Sequence, residues 1–404
     1  MNPTIEYLFC LQTFGMKFGL RNIRALLRSC GDPHRSIRTI HIAGTNGKGS
    51  TSSMIASILT AAGYSVGLYT SPHLISFNER IRINGVKISD NDVVKYVRRL
   101  RPEIDRLNAT FFEATTAVAF KYFSDQNVDI AVIETGLGGR LDSTNVLRPL
   151  VSVITSIGKD HTQYLGTSLR SIAAEKAGII KRRISVVLGD INGVARATIL
   201  RRAKIMSAPA IESSKMKIPA AIRLGLKGNH QRKNARAAIA AVAVAARHML
   251  IGDRAVKDGL EQTTSLSGLR ARLEYRKGKP DLLLDVAHNP DGIKTLVREV
   301  RAMPQKRFII LFGVMKDKDY RSMLKQLARI DPIIIAAQPH GERALSVDDL
   351  VNECKKLGIP SIRSKNVPDA FRLAKQKAGE SGLVITTGSH YLIGELLSLI
   401  EKKP

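Results

Sequence analysis

The residues best placed by type and spacing to do chemistry stand in one run, His41-Ile42-Ala43-Gly44-Thr45-Asn46-Gly47-Lys48-Gly49-Ser50. A short β-like segment leads into it. A helical pattern with apolar residues at Met54, Ile55, Ile58 and Leu59, stopped at Gly63, leads out. Strand, glycine loop and helix together bring backbone N–H groups and a helix N-terminus up to phosphate oxygens, and Lys48 can then reach the terminal phosphates. The expected ligand is ATP or a similar nucleotide, held by Gly44, Thr45, Asn46, Gly47, Lys48, Gly49 and Ser50. The run departs from G-x-x-x-x-G-K-[ST]: Gly44 and Gly47 are closer together, and Gly49 separates Lys48 from Ser50. A plain motor or GTPase reading loses weight accordingly, and a purely structural glycine turn is the alternative.

Other polar residues close apolar runs. Glu134 ends Ile130–Ile133, which puts it at the carboxyl end of a parallel strand, where open α/β sheets bind their ligands. Asp160-His161 follows the similar run Val151–Ile157. A carboxylate, a hydroxyl and one imidazole facing a phosphate leave Mg²⁺ several water positions, which suits its octahedral preference. On the residues alone, His161 is equally a packed or hydrogen-bonded histidine, and Glu134 equally a helix cap.

Holding such residues in place takes strands and crossover helices, and short apolar runs do alternate with helical patterns along the whole length. The class is α/β. Expected strands are Thr39–Ala43, Ser65–Tyr69, Asp129–Ile133, Val151–Ser156 and Ile184–Leu188, then Leu282–Val286, Arg307–Phe312, Pro332–Ala336 and Leu383–Thr386. Nine strands imply two sheets. Thr263–Arg270, polar and glycine-containing, reads as an interdomain linker, and Gln231–Ile251 before it reads as an alanine-rich core helix. The chain of 404 residues exceeds the ~250–300 at which single cores stop growing, so two domains are expected, 1–270 and 271–404.

Composition narrows the setting. The longest apolar stretch, Ala237–Ala246, is well short of the ~20 residues that span a bilayer. The first twenty residues lack the basic, apolar and cleavage regions of a secretory signal. Cys10, Cys30 and Cys354 form neither a disulfide framework nor a zinc spacing, so a reducing cytoplasm is expected. Net charge is +28, which predicts anionic partners. The basic residues are scattered, however, aromatics are 5% with no Trp, and no nucleic-acid-binding motif accompanies them, so nucleic acid is not the expected main ligand.

The phosphate loop Gly44–Ser50 resembles that of the ATP-dependent amide ligases that include the Mur ligases and the folylpolyglutamate synthases. Thr70-Ser71-Pro72-His73-Leu74, Phe77-Asn78-Glu79-Arg80-Ile81 and Glu134-Thr135-Gly136-Leu137-Gly138-Gly139-Arg140-Leu141-Asp142-Ser143-Thr144-Asn145 resemble the folylpolyglutamate synthase/dihydrofolate synthase branch. So do Asp160-His161-Thr162, Glu175-Lys176-Ala177-Gly178-Ile179 and Asp285-Val286-Ala287-His288-Asn289-Pro290. The motifs run in family order from about residue 17 to residue 391. The departures are Ser143 where many relatives have Ala, a short region at Asp190–Pro219, and the unusually basic charge.

The resemblance implies an N-terminal P-loop domain with a mainly parallel sheet, holding ATP and a pteroate or folate, and a smaller Rossmann-like C-terminal domain contributing ATP and glutamate contacts. It implies that Ser71, Glu134 and His161 hold Mg²⁺, and that Thr110, Phe112, Arg140, Leu141 and Asp142 line the pteroate pocket. Phe112 can stack on a pterin, although Phe111-Phe112 also suits a core and the loop after Glu134 also suits a mere turn. Asn234, Arg272 and Asp285 are expected at the ribose and adenine, with a surface linker charge as the other reading of Arg272. His288 and Ser389 resemble positions that place the incoming glutamate; a Gly-Ser turn is the other reading of Ser389. Lys48, Lys176 and His288 are the expected catalytic residues.

Lys176 reads on sequence alone as an exposed helical lysine, whereas the resemblance implies a carbamate on it. CO₂ reacts only with the neutral amine, roughly one lysine in a thousand near pH 7.4 at the reference pKa, so burial and neighbouring positive charge must favour that form.

The implied reaction is attack of a carboxylate on the γ-phosphate of ATP, giving an acyl phosphate that the glutamate amine then displaces. The acceptor, dihydropteroate or a reduced folate, and the number of glutamates added stay open. The rivals are a ligase of another acid, such as a cell-wall precursor, and a nucleic-acid-stimulated P-loop ATPase. A cytoplasmic monomer without membrane attachment is expected.

Overall fold

The computed structural model describes residues 3–11, 15, 17, 19–303 and 308–401. Two compact units divide them. The first comprises residues up to Pro72, Phe77–Gly225 and Gln231–Leu269; the second comprises His73–Ser76, Leu226–His230 and the chain from Arg270 onward.

The first unit is built on an eight-stranded sheet. In chain order its strands are β1 Thr39–Ala43, β2 Val66–Tyr69, β3 Ile81–Ile83, β4 Val86–Lys87, β5 Ile130–Glu134, β6 Val151–Ile154, β7 Val186–Leu188 and β8 Ala210–Glu212. Across the sheet the order is β4-β3-β2-β5-β1-β6-β7-β8. From β2 to β8 the pairing is parallel, while β3 and β4 add an antiparallel edge. Strands β1, β2, β5, β6 and β7 are buried throughout, as expected where helices cover both faces, so they are mostly apolar, with Thr39, His41, Ser152 and Glu134 buried among them.

The second unit has six strands: β9 Glu274–Arg276, β10 Asp281–Leu284, β11 Phe308–Phe312, β12 Pro332–Ala336, β13 Ser361–Arg363 and β14 Leu383–Thr387. Their order is β13-β12-β11-β14-β10-β9, parallel except for β9 against β10. Alternate residues feed two cores. Leu283, Ile310, Phe312, Ile334 and Ile385 pack on one face, and Leu284, Ile309, Leu311, Ile335 and Val384 on the other, the period-two alternation of a strand.

All nine anticipated strands are present, β1 and β12 with the anticipated bounds and the others with ends shifted by one or two residues; Arg307, the first residue of one anticipated strand, lies outside the described residues. The five not anticipated, β3, β4, β8, β9 and β13, have two or three residues each. Such segments are too short to show a period.

The anticipated linker is a correction. Thr263–Ser267 is a helix, Thr263 and Ser267 are buried, and the Ser57 hydroxyl donates to the Thr263 carbonyl at 3.2 Å. Hydroxyls that satisfy backbone carbonyls made this stretch look like loop; Gly268, at φ 69°, ends it. The alanine-rich helix spans Asn229–Ala245, shorter than the anticipated Gln231–Ile251. No helix among the described residues is long and apolar enough to cross a membrane.

Candidate active site

The carboxyl ends of β1, β5 and β6 lie side by side, with Ile42 of β1 in register with Glu134 of β5 and Val153 of β6. The phosphate loop leaves β1 there. Its shape is set by polar residues that close β6: Thr45 N–H donates to the Ser156 carbonyl at 2.8 Å, Asn46 N–H to the Ser156 hydroxyl at 2.9 Å, and Thr155 Oγ1 to the Asn46 carbonyl at 2.7 Å. Thr45 Oγ1 accepts the Gly158 N–H at 3.0 Å. Thr155 and Ser156 went unassigned in the sequence, although they close an apolar run just as Glu134 does.

Two glycines of the loop are required by space. A Cβ on Gly44 would lie 1.9 Å from Thr155 Oγ1. Gly47 stands at φ 85°, and a Cβ there would lie 2.4 Å from Asn234 Oδ1. Gly47 is also the N-cap of the helix Lys48–Ala61, so the loop delivers the N–H groups of a first helical turn to its mouth. Asn234 donates to Gln231 Oε1 at 2.9 Å, and fully buried Gln231 reaches Ser50 Oγ at 3.4 Å. Gln231, a residue the motif contains but to which no role was given, thus links Asn234 to the loop.

Two lysines converge on the same loop. Lys48 Nζ donates to the carbonyls of Gly44 and Thr45 at 3.1 and 3.2 Å and lies 4.0 Å from Glu134 Oε1. Lys176, on the helix Leu169–Ala177, is only 4% exposed, and its Nζ donates to the Gly44 carbonyl at 2.8 Å. The reading of Lys176 as an exposed lysine is therefore wrong. Burial first, and then the charge of Lys48, lower its pKa to about 7, against the opposing pull of Asp160 and Asp142.

Glu134 is 3% exposed and its Oε2 accepts the Ser71 N–H at 3.4 Å. His161 opens the short helix Thr162–Leu165 in a left-handed conformation, φ 50°, and Asp160 Oδ1 accepts its N–H at 2.9 Å. Its ring is partly exposed, with Nε2 3.9 Å from Asp160 Oδ1.

The glycine-rich segment after Glu134 is packed tightly against the Lys176 helix. Arg140 N–H donates to the Glu175 carbonyl at 2.8 Å, and a Cβ on Gly178 would come within 2.4 Å of Arg140 Cα. The Arg140 guanidinium donates to Glu175 Oε1 at 2.8 Å. Asn145 Nδ2 ties the two segments by donating to the carbonyls of Arg140 and Gly178. Asp142 is buried and accepts N–H groups from Leu137 and Thr144 and the Thr144 hydroxyl; burial nevertheless raises its pKa. Phe112 lies over this loop, since a Cβ on Gly136 would touch its ring at 2.5 Å, and its centroid is 6.1 Å from that of Tyr69. Leu141 is half-buried in the same segment. Thr110 forms a capping box with Glu113 at the start of the helix Phe111–Asp125, a local stabilising device.

In the second unit Asp285 follows β10. Its two oxygens accept the Leu273 and Ala287 N–H groups at 2.9 and 3.0 Å, and burial raises its pKa against the pull of these bonds and of Arg272 and His230. Arg272 Nη1 donates to the Ala271 carbonyl at 3.2 Å. His288 Nδ1 pairs with the Val286 carbonyl at 2.9 Å, and its ring centroid is 5.1 Å from that of His390. Ser389, 3% exposed, accepts the Leu392 N–H at 3.1 Å as the helix His390–Glu401 begins.

Residues 42–242 match the description "Mur ligase middle domain" and residues 271–390 match "Mur ligase, glutamate ligase domain". The dihydrofolate synthase/folylpolyglutamate synthase of Bacillus subtilis is 37% identical, over 95% of this chain and 95% of its own. The folylpolyglutamate synthase of Mycobacterium tuberculosis, solved with ADP, superposes with a TM-score of 0.91 at 29% identity, covering 99% of each chain. A bifunctional folylpolyglutamate synthase/dihydrofolate synthase solved with Mn, AMPPNP and L-glutamate superposes with a TM-score of 0.87 at 27% identity, covering 98% of each. Because this likeness runs through both units and nearly the full length of each relative, the chain belongs to the folylpolyglutamate synthase/dihydrofolate synthase family of Mur-type, ATP-dependent ligases.

Proposed function

We propose that the protein joins L-glutamate to dihydropteroate, to reduced folates or to both, at the expense of ATP and through an acyl phosphate. The observation that carries the reading is the pairing of Lys48 and buried Lys176 on one loop carbonyl, that of Gly44. The Lys48 ammonium within reach of a phosphate loop suits a reaction in which negative charge gathers on a transferring phosphoryl group, and a buried, readily neutral Lys176 suits the carbamate that the resemblance implies.

In this reading Gly44–Ser50 hold the phosphates and Lys48 swings from its carbonyls to the γ-phosphate as charge develops. Asn234, supported by Gln231, meets the ribose, while Arg272 and Asp285 meet the base and sugar. Phe112, Arg140, Leu141 and Asp142 receive the pteroate, with Thr110 acting through its cap on the Phe112 helix. His288 and Ser389 orient the glutamate amine.

Ser71, Glu134 and His161 fit Mg²⁺. Glu134 offers a buried carboxylate beside the loop, and an ion held by these three residues would leave positions for phosphate and water, as Mg²⁺ prefers. Bound there, the ion would supply charge neutralisation to the phosphates. Cys10, Cys30 and Cys354 form no disulfide, and a monomer in a reducing cytoplasm completes the reading.

Mass spectrometry of products from dihydropteroate and from a reduced folate, each with ATP and glutamate, tests the proposal. A mass gain of one glutamate with stoichiometric ADP and phosphate is expected. No glutamylated product from either acceptor overturns it.

A further inference from the structure

Ala271 and Leu273 stand in the left-handed region, at φ 56° and 48°, on either side of Arg272. Both are buried and neither is a residue that visits this region readily. Such conformations persist only where the surroundings over-determine them, and they gather where a side chain must be aimed.

Two carboxylates impose this backbone. Glu274 Oε2 accepts the Ala271 N–H at 2.8 Å, and Asp285 Oδ2 accepts the Leu273 N–H at 2.9 Å. The antiparallel register of β9 and β10 sets Glu274 opposite Leu284, next to Asp285, so the two carboxylates arrive from adjacent strands. The Val286 N–H adds a bond to the Ala271 carbonyl at 3.2 Å.

Glu274 is itself locked. The Arg270 Nε lies 3.1 and 3.0 Å from its two oxygens, and Arg276 Nε donates to Oε1 at 2.9 Å. Both arginines also reach Glu401 Oε1, at 2.8 and 2.7 Å, which closes a ring of two arginines and two glutamates. Burial works to raise the Glu274 pKa, but these arginines and the Ala271 N–H hold it below the ordinary carboxylate range. A planar, multidentate arrangement of this kind gives geometric definition that a single exposed ion pair lacks.

We infer that Glu274, locked by Arg270, Arg276 and Glu401, is a positioning residue for the nucleotide: it holds Ala271 to Leu273 in the form that aims Arg272. The inference rests on the reading of Arg272 as a nucleotide contact. Glu274 acts through Arg272, which separates it from the residues that meet ATP directly.

A double-mutant cycle tests this, with KM for ATP, KM for glutamate, kcat and the Kd of ADP measured for Arg272→Ala, Glu274→Ala and the double variant. Glu274→Ala is expected to raise KM for ATP and the Kd of ADP about tenfold, with KM for glutamate and kcat nearly unchanged. The double variant is expected to be no worse than Arg272→Ala. Additive losses, or an unchanged Kd of ADP in Glu274→Ala while Arg272→Ala weakens it, overturn the positioning role and leave the Arg272 reading intact. An unchanged Kd of ADP in Arg272→Ala overturns both. Should Glu274→Ala fold poorly, Glu274→Gln serves, since its amide oxygen still accepts the Ala271 N–H while the arginine lock loosens; a smaller loss in the same parameters is expected, and none counts against the role. Ala271→Gly in the Glu274→Ala background is expected to restore part of the affinity, because glycine reaches the left-handed form unaided; no recovery counts against the role.

Discussion

The Lys176 ammonium group and the Gly44 carbonyl, 132 residues apart in the chain, are 2.8 Å apart in the fold. A helix residue that sequence alone leaves in solvent is thereby placed under the phosphate loop. A carbamate on Lys176, as the family resemblance implies, predicts that Lys176→Ala loses activity and regains part of it with added acetate, a small carboxylate able to occupy the carbamate's position. Activity of the native enzyme should fall in CO₂-free buffer. A high-resolution density map of the liganded enzyme with a bare amine at Lys176, together with full activity without CO₂, would refute the modification.

The same burial makes a prediction about stability. The folded pKa of about 7 lies below the ordinary lysine value of 10.5, so between those values the unfolded chain binds more protons and stability rises with pH. The penalty is complete below about pH 7 and gone above about pH 10.5. Lys176→Met, studied without CO₂, should therefore stabilise the protein by on the order of 5 kcal/mol at pH 6.5, at ~1.4 kcal/mol per pKa unit, and by little near pH 10.5. Urea unfolding at the two pH values measures the difference; an equal gain at both contradicts a depressed pKa.

Among the described residues, Lys48 donates to loop carbonyls in its own neighbourhood and lies 4.0 Å from Glu134, so the hydrophobic core does not depend on it. Lys48→Ala should abolish turnover, by roughly a thousandfold or more if it neutralises the transferring phosphoryl group, with the melting temperature nearly unchanged. Wild-type turnover in a folded variant removes the nucleotide-site assignment.

For the metal, activity should disappear in excess chelator and return with added Mg²⁺. Glu134→Ala should be the more damaging change because it removes a buried negative charge beside the ion, whereas His161→Ala should raise the Mg²⁺ concentration needed for half-maximal rate. Normal metal dependence in His161→Ala would exclude that ligand alone; undiminished activity with chelator excludes the site.

Gly178→Ala should act at a distance from the chemistry. Its methyl would fall 2.4 Å from Arg140 Cα and Cβ, forcing the glycine-rich segment off the Lys176 helix. Overpacking of this kind costs about 1–3 kcal/mol, and because both segments border the loop the rate should fall as well. Thermal unfolding and kcat measured together check it, and wild-type values for both would show that the contact yields freely.

Much of the molecule was determined by sequence alone. The β-like segment Thr39–Ala43 and the apolar run Pro332–Ala336 became β1 and β12 with the bounds anticipated, because parallel strands covered on both faces are predominantly apolar. Glu134 at a strand end and Gly47 at a helix start were legible for the same reason: a polar residue ending an apolar run, and a glycine between strand and helix, have few other places to go. Tertiary structure alone decided the partners. Thr155, Ser156 and Gln231 shape the loop through contacts with Asn46 and Ser50 across more than a hundred residues, and separations of that size leave no local trace. The helix at Thr263–Ser267 looked like linker because its residues are polar, although their hydroxyls bond carbonyls three and four residues back and its burial comes only with the fold. The left-handed turns of Ala271 and Leu273 were invisible because nothing in alanine or leucine announces them; they exist because Glu274 and Asp285 grip the backbone from outside the segment. Local order follows from residue type and spacing, whereas the depth of Lys176 and the aim of Arg272 follow from burial and long-range hydrogen bonds, which only the folded chain supplies.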